Sequence, residues 1–203
     1  MTADVEIQGF CDRKYQPVKE AFTANFRQGL EVGASLCVTE GGKTVVDLWA
    51  GHAHEDRTRP WQEDTIVIVY STTKIMVALC GLMLVDRGLL DLDAPVAKYW
   101  PEFAEGGKEN LPVRYIFSHN AGLPGWDEPI AFEALYDWDR VVGLLARQKP
   151  WWEPGTASGY HVLTMGFLIG ELVRRVTGKS FGAFFRAEVA DRLGADFHIG
   201  LAP

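Results

Sequence analysis

Apolar side chains recur every fourth residue at Val18, Phe22 and Phe26, the spacing of one helical face, and predict a helix over 15–28. Ala34, Leu36 and Val38 then alternate with neighbours of other character between Gly33 and Glu40. Gly41-Gly42 follows, and a second run extends from Lys43 to Trp49. Two such runs joined by a Gly-Gly pair predict a β-hairpin. The period changes after Ile66. Ile75, Met76, Leu79, Leu82 and Met83 predict a helix apolar on most sides and therefore buried, stopped at Gly88.

Punctuation residues outline the rest. Asp93 with Pro95 marks a short helical piece that Pro101 ends, and Pro112 opens another running to about His119. An amphipathic helix is predicted over Trp138–Arg147, closed before Pro150. A further helix runs from His161 to Val176 with Gly178 behind it. Ser180 caps a last one from Phe181 to about Arg192. Two strands among many helices give an α/β (α+β) layout. A two-stranded sheet is marginal alone, so sheet partners are expected beyond the chain.

Composition narrows the function classes. The 203 residues are 47% hydrophobic and 23% charged, with net charge −7 and pI near 5.2. This is a globular chain with an ample core, and it lacks the basic face that nucleic-acid binding needs. No run of about 18 apolar residues suggests a membrane span, and Met1–Phe10 does not read as a secretory signal. Cys11, Cys37 and Cys80 are odd in number and widely spaced. Reduced thiols in a cytoplasmic protein are the expectation.

Ser71-Thr72-Thr73-Lys74 is the sharpest chemical signal. Three residues apart on a helix places both side chains on one face. A serine hydroxyl needs a base to become nucleophilic, and a lysine in a water-poor site can serve as that base. The same residues also read as a plain helix cap with Lys74 reaching solvent. A second signal is Pro154-Gly155-Thr156 followed by Tyr160. Tyr160 is either a core aromatic or a phenol whose proton is loosened by a neighbouring cation such as Lys74.

Taken together with Ser118-His119-Asn120-Ala121-Gly122-Leu123-Pro124, Arg87–Val96 and Gly170-Glu171-Leu172 leading to Val176–Ser180, these motifs resemble the penicillin-recognising serine hydrolases. The resemblance is to the class C β-lactamase side of that family, which includes the family VIII carboxylesterases, and runs from about Gly33 onward. It implies a β-lactamase/transpeptidase-like fold: an antiparallel sheet flanked by helices, with a mostly helical domain. Residues 1–60 would belong to the α/β half, and 61–203 would supply the nucleophile helix and the helical half. Ser71 would be the acylated nucleophile, its own N–H one oxyanion donor, Lys74 the general base and Tyr160 the proton shuttle. No metal or organic cofactor is implied, and the substrate would be a small ester or lactam.

Two departures qualify the resemblance. Class C lactamases carry Tyr-x-Asn, whereas here the run is Tyr160-His161-Val162, ending at Thr164 as in esterase-like members. Weak or absent action on β-lactams is expected. The family's third motif, Lys-Thr-Gly, His-x-Gly or Trp-Gly-Gly, has no counterpart before Pro203. The chain therefore reads as the front part of a hydrolase, with a catalytically incomplete binding remnant as the alternative. In that alternative a homo-oligomer covers the hairpin's unpaired edge.

Other residues carry weaker signals. His52-Ala53-His54-Glu55-Asp56 begins a zinc-hydrolase pattern, but Arg57 replaces the last ligand, and a polar loop is expected. Trp126, Trp152 and His161 are candidates for an apolar substrate pocket, although core packing suits the tryptophans equally. His119 is expected to be a structural histidine bonded to loop carbonyls.

Overall fold

The computed structural model describes residues 5–200, which form two compact units, one ending at Ile68 and the other starting at Val69. In the first unit, helix α1 (Gln16–Arg27) carries Pro17 in its first turn, where the missing N–H is harmless and φ is preset. Its inward positions are Phe22 and Phe26, with ring centroids 5.3 Å apart. They pack with Val46, Leu48 and Ala50, alternate residues on one face of the sheet.

That sheet has three antiparallel strands in the order β1-β3-β2: β1 (Gln8–Cys11), β2 (Gly33–Glu40) and β3 (Lys43–Gly51). The hairpin β2–β3 is as expected. Strand β1 corrects the two-strand reading. It has no alternating pattern and joins β3 through its main chain, from Gln8 opposite Trp49 to Cys11 opposite Val46. Pairing of this kind leaves little trace in side-chain hydropathy.

The second unit is helical: α2 (Thr73–Asp86), α3 (Arg114–Phe117), α4 (Trp138–Arg147), α5 (Thr164–Thr177), α6 (Phe181–Phe185) and α7 (Asp191–Leu193), with 3-10 turns between. Caps explain several boundaries. The Asp137 carboxylate accepts the Arg140 N–H at the start of α4. Ser180 Oγ accepts the Ala183 N–H before α6. Gly178 adopts φ 71° behind α5, a conformation that costs glycine little. The core gathers Leu84, Val96, Phe103, Ile116, Leu145 and Leu168 from these elements.

The structure revises four expectations. Helix α2 is buried along one face, Val77, Cys80, Gly81 and Leu84, while Ile75, Leu79 and Leu82 are exposed. The core of this unit takes up only that stripe. Gly81 is where α3 and α5 come close, since a Cβ there would meet Phe117 Cε1 at 2.7 Å. Pro101 opens a 3-10 turn (Pro101–Gly107) and does not simply end one; its fixed φ suits the first position. Helix α5 starts at Thr164 and not at 161, and Arg186–Ala190 between α6 and α7 is π-helical.

Two buried charges sit in this unit. Glu171 on α5 accepts Trp138 Nε1–H at 2.8 Å, Arg174 Nε–H at 2.7 Å and Arg175 Nε–H at 2.7 Å. Lys108 is fully buried and donates to the carbonyls of Glu105 (2.6 Å), Ala146 (2.9 Å) and Gln148 (2.5 Å). All three ammonium protons are matched, and two of the acceptors lie at the end of α4, which otherwise leaves carbonyls unpaired.

Candidate active site

Ser71 lies in a 3-10 turn, Tyr70–Thr72, immediately before α2, and not in the α-helix proper as expected. Tyr70 is held at φ 44°, a region costly for a residue with a Cβ. Lys74, one turn on, points its Nζ to within 3.2 Å of Ser71 Oγ. The same ammonium donates to the Val162 carbonyl at 2.6 Å. Lys74 is therefore neither solvent-bound nor sealed from water. It is half-buried and held between the Ser71 turn and the segment that leads into α5.

Tyr160 stands on that segment. Its ring centroid is 4.9 Å from Lys74 Nζ. A hydrogen bond with Ser71 holds its phenol below the ordinary tyrosine range. Burial opposes this, and the hydrogen bond and charge of Lys74 add to it. Residues distant in sequence thus meet as a hydroxyl, an amine and a loosened phenol, a set able to pass a proton to and from a nucleophilic oxygen.

A ladder of hydrogen bonds fixes the Tyr160 segment to the loop after α3. The Gly122 carbonyl accepts Trp151 N–H at 2.7 Å, Asn120 O accepts Gly155 N–H at 3.0 Å, and His119 O accepts Gly159 N–H at 3.1 Å. His119 Nδ1 accepts the His161 N–H at 3.1 Å, and Thr164 Oγ1 donates to Leu123 O at 2.6 Å. The two motif loops are the two sides of this ladder. Gly122, at φ 74°, admits no Cβ, which would meet the Trp152 carbonyl at 2.8 Å.

The three residues expected at a substrate pocket are placed as follows. His161 is fully buried. Its Nε2 accepts Leu123 N–H at 3.2 Å and its Nδ1 lies 2.6 Å from Gly159 O, which fixes a neutral ring protonated at Nδ1. Burial, foremost, keeps its pKa low. Both ring nitrogens are engaged by loop backbone groups. Trp126 donates to Val141 O at 3.0 Å and packs edge-on to Phe167, half-buried against the core cluster. Trp152 donates to Ala157 O at 2.9 Å inside its own loop. A cavity of about 920 Å³ is lined by Val77, Trp138, Phe167, Phe181 and Phe197 among others, and Ser71, Lys74 and Tyr160 are not part of its wall.

In the first unit, His54 Nδ1 lies 3.3 Å from Asp56 on the surface, and His52 pairs by its backbone with Pro60. Among the described residues no group of three His, Cys, Asp or Glu side chains gathers as metal ligands would.

The beta-lactamase family model matches residues 22–203. The chain belongs to the beta-lactamase family. It is 40% identical over 200 residues to the esterase/beta-lactamase LipL of Mycobacterium tuberculosis, covering 97% of this chain and 46% of that protein. To esterase EstB of Burkholderia gladioli it is 32% identical, covering 85% of this chain and 48% of that protein. Its fold superposes on a family VIII carboxylesterase with TM-score 0.92 and 49% identity, covering 97% of this chain and 55% of that one. A penicillin-binding protein homologue from Caulobacter crescentus gives TM-score 0.93 at 41% identity, covering 97% of this chain and 53% of that one. The fold is therefore of the β-lactamase/transpeptidase type. The chain spans about half the length of the curated relatives it matches.

Proposed function

We propose that this beta-lactamase family chain carries the acylation machinery of a serine esterase. The observation that carries the reading is Lys74 Nζ at 3.2 Å from Ser71 Oγ, with the Tyr160 ring beside the same nitrogen. Ser71 Oγ attacks the ester carbonyl as its proton passes to Lys74 Nζ. The tetrahedral oxyanion faces the Ser71 N–H, a type of donor worth about 2.7–4 kcal/mol. Tyr160 hands a proton to the leaving alkoxide. It then takes one from the water that attacks the acyl-enzyme, and Lys74 returns its proton to Ser71 Oγ as the acid leaves.

An ester is favoured over a lactam for two reasons. The relative named esterase EstB matches 85% of the chain, and a family VIII carboxylesterase superposes on 97% of it. At the third position of Tyr160-His161-Val162, an exposed apolar side chain stands where class C lactamases present an amide. No helix among the described residues is long and apolar enough to cross a membrane. The cysteines Cys11, Cys37 and Cys80 are unpaired, which supports a reducing, cytoplasmic setting. We assign residues 1–60 to the α/β half of the fold and 61–203 to the helical half with the nucleophile turn.

A serine-directed phosphonate tests the assignment. It should label the parent chain, and Ser71→Ala should abolish labelling; undiminished labelling of the variant overturns the reading. Turnover of a short-chain nitrophenyl ester against a chromogenic cephalosporin then separates ester from lactam preference.

A further inference from the structure

We propose that His119 is the positioning residue for Tyr160, holding the phenol in register with Lys74 and Ser71; this rests on the serine-hydrolase reading above. His119 engages both neighbours of Tyr160. Its carbonyl accepts the Gly159 N–H at 3.1 Å, and its Nδ1 accepts the His161 N–H at 3.1 Å. Its ring packs against the Tyr160 ring, centroids 4.9 Å apart, and against His161 at 5.4 Å. Tyr160 itself is 51% exposed, so no surrounding core fixes its ring. Beside its contacts with Ser71 and Lys74, what holds it is the backbone on either side and the aromatic face supplied by His119.

The chemistry of the contact is specific to an unprotonated acceptor. A backbone N–H can bond to Nδ1 only if that nitrogen keeps its lone pair, which places the proton of neutral His119 on Nε2. Burial, foremost, and the nearby Lys74 charge both favour the neutral ring. His119 is also held at φ 61°, a left-handed conformation that histidine, like asparagine and glycine, adopts more readily than most residues. Its hydrogen bonds and ring contacts go to the segment bearing Tyr160, and its effect reaches the reacting atoms through Tyr160.

The test separates this role from general structural support. His119→Gly relieves the backbone and removes both acceptor and ring. His119→Asn keeps a side-chain acceptor, tolerates the same φ and has no titrating ring. Tyrosines carrying a labelled Cζ are followed by NMR against pH, with Tyr160 assigned through Tyr160→Phe. In the parent chain Tyr160 titrates below the other tyrosines. In His119→Gly its midpoint moves up toward the ordinary value of about 10, and His119→Asn restores it.

With a nitrophenyl ester, His119→Gly lowers kcat by roughly 10- to 100-fold at similar KM, the scale of a displaced catalytic group. The same change adds nothing further in a Tyr160→Phe background. A folded His119→Gly whose Tyr160 titrates as in the parent overturns the proposal. Should that variant not fold, imidazole 15N shifts of the parent decide: a proton on Nε2 of His119 supports the contact, and one on Nδ1 refutes it. Failure of the serine-hydrolase reading would show separately, as phosphonate labelling that survives Ser71→Ala.

Discussion

Replacing Lys108 by methionine exposes what a buried ammonium contributes here. Its three protons are matched to the Glu105, Ala146 and Gln148 carbonyls, yet burial lowers its pKa from 10.5 to about 8. A folded-state pKa below the unfolded value means the unfolded chain binds more protons across the interval, so stability rises with pH there. Integrated between about pH 7 and 9.5, the gain is about 2 kcal/mol. Lys108→Met cannot show it. At pH 7 the variant also leaves three carbonyls without a donor, an uncompensated cost of roughly 1–3 kcal/mol each, offset by removal of the buried charge. The expected net loss is about 2 kcal/mol. Urea unfolding of both proteins across this pH range is the assay. The gap between parent and variant should widen on the alkaline side by about 2 kcal/mol; a gap that stays flat or narrows refutes the argument.

Glu171→Gln should lower stability by about 3–5 kcal/mol near neutrality, because it strips the partner from Arg174 and Arg175. Burial alone would raise the Glu171 pKa, but hydrogen bonds from Arg174, Trp138 and Arg175 hold it below 4.5. Its contribution is therefore present above that value and is lost as pH falls through the depressed pKa, so acid titration of urea midpoints should close the difference between variant and parent. Thiol reagents should modify exposed Cys37 readily. Cys80 should react only after denaturation, since burial, aided by the Glu188 charge, pushes its thiol up to about 11; mass spectrometry before and after urea distinguishes them.

Features written locally in the chain were legible. The β2–β3 hairpin follows from alternation and Gly41-Gly42, α4 from its amphipathic spacing, and the end of α5 from Gly178. The Ser71 and Lys74 pairing follows from helical geometry and shared motifs. What escaped depends on partners far along the chain. Strand β1 pairs through backbone groups, which every residue carries. Buried Lys108 looks like any surface lysine until the end of α4 returns to it 38 residues later. His119 was expected to bond carbonyls, and it does the reverse: its Nδ1 takes an N–H from the segment bearing Tyr160. Helix α2 looked buried all round because composition reports how apolar a helix is, not how much of it a core can cover.

The tie between Lys74 and the Val162 carbonyl alters how mutagenesis at position 74 should be interpreted. On the proposed mechanism, removing the amine deletes the base and also unfastens the Ser71 turn from the segment that carries Tyr160. A small amine supplied from solution can return the basicity but not the fastening. The part of the activity that such chemical rescue fails to recover is a direct gauge of the mechanical role of this one side chain.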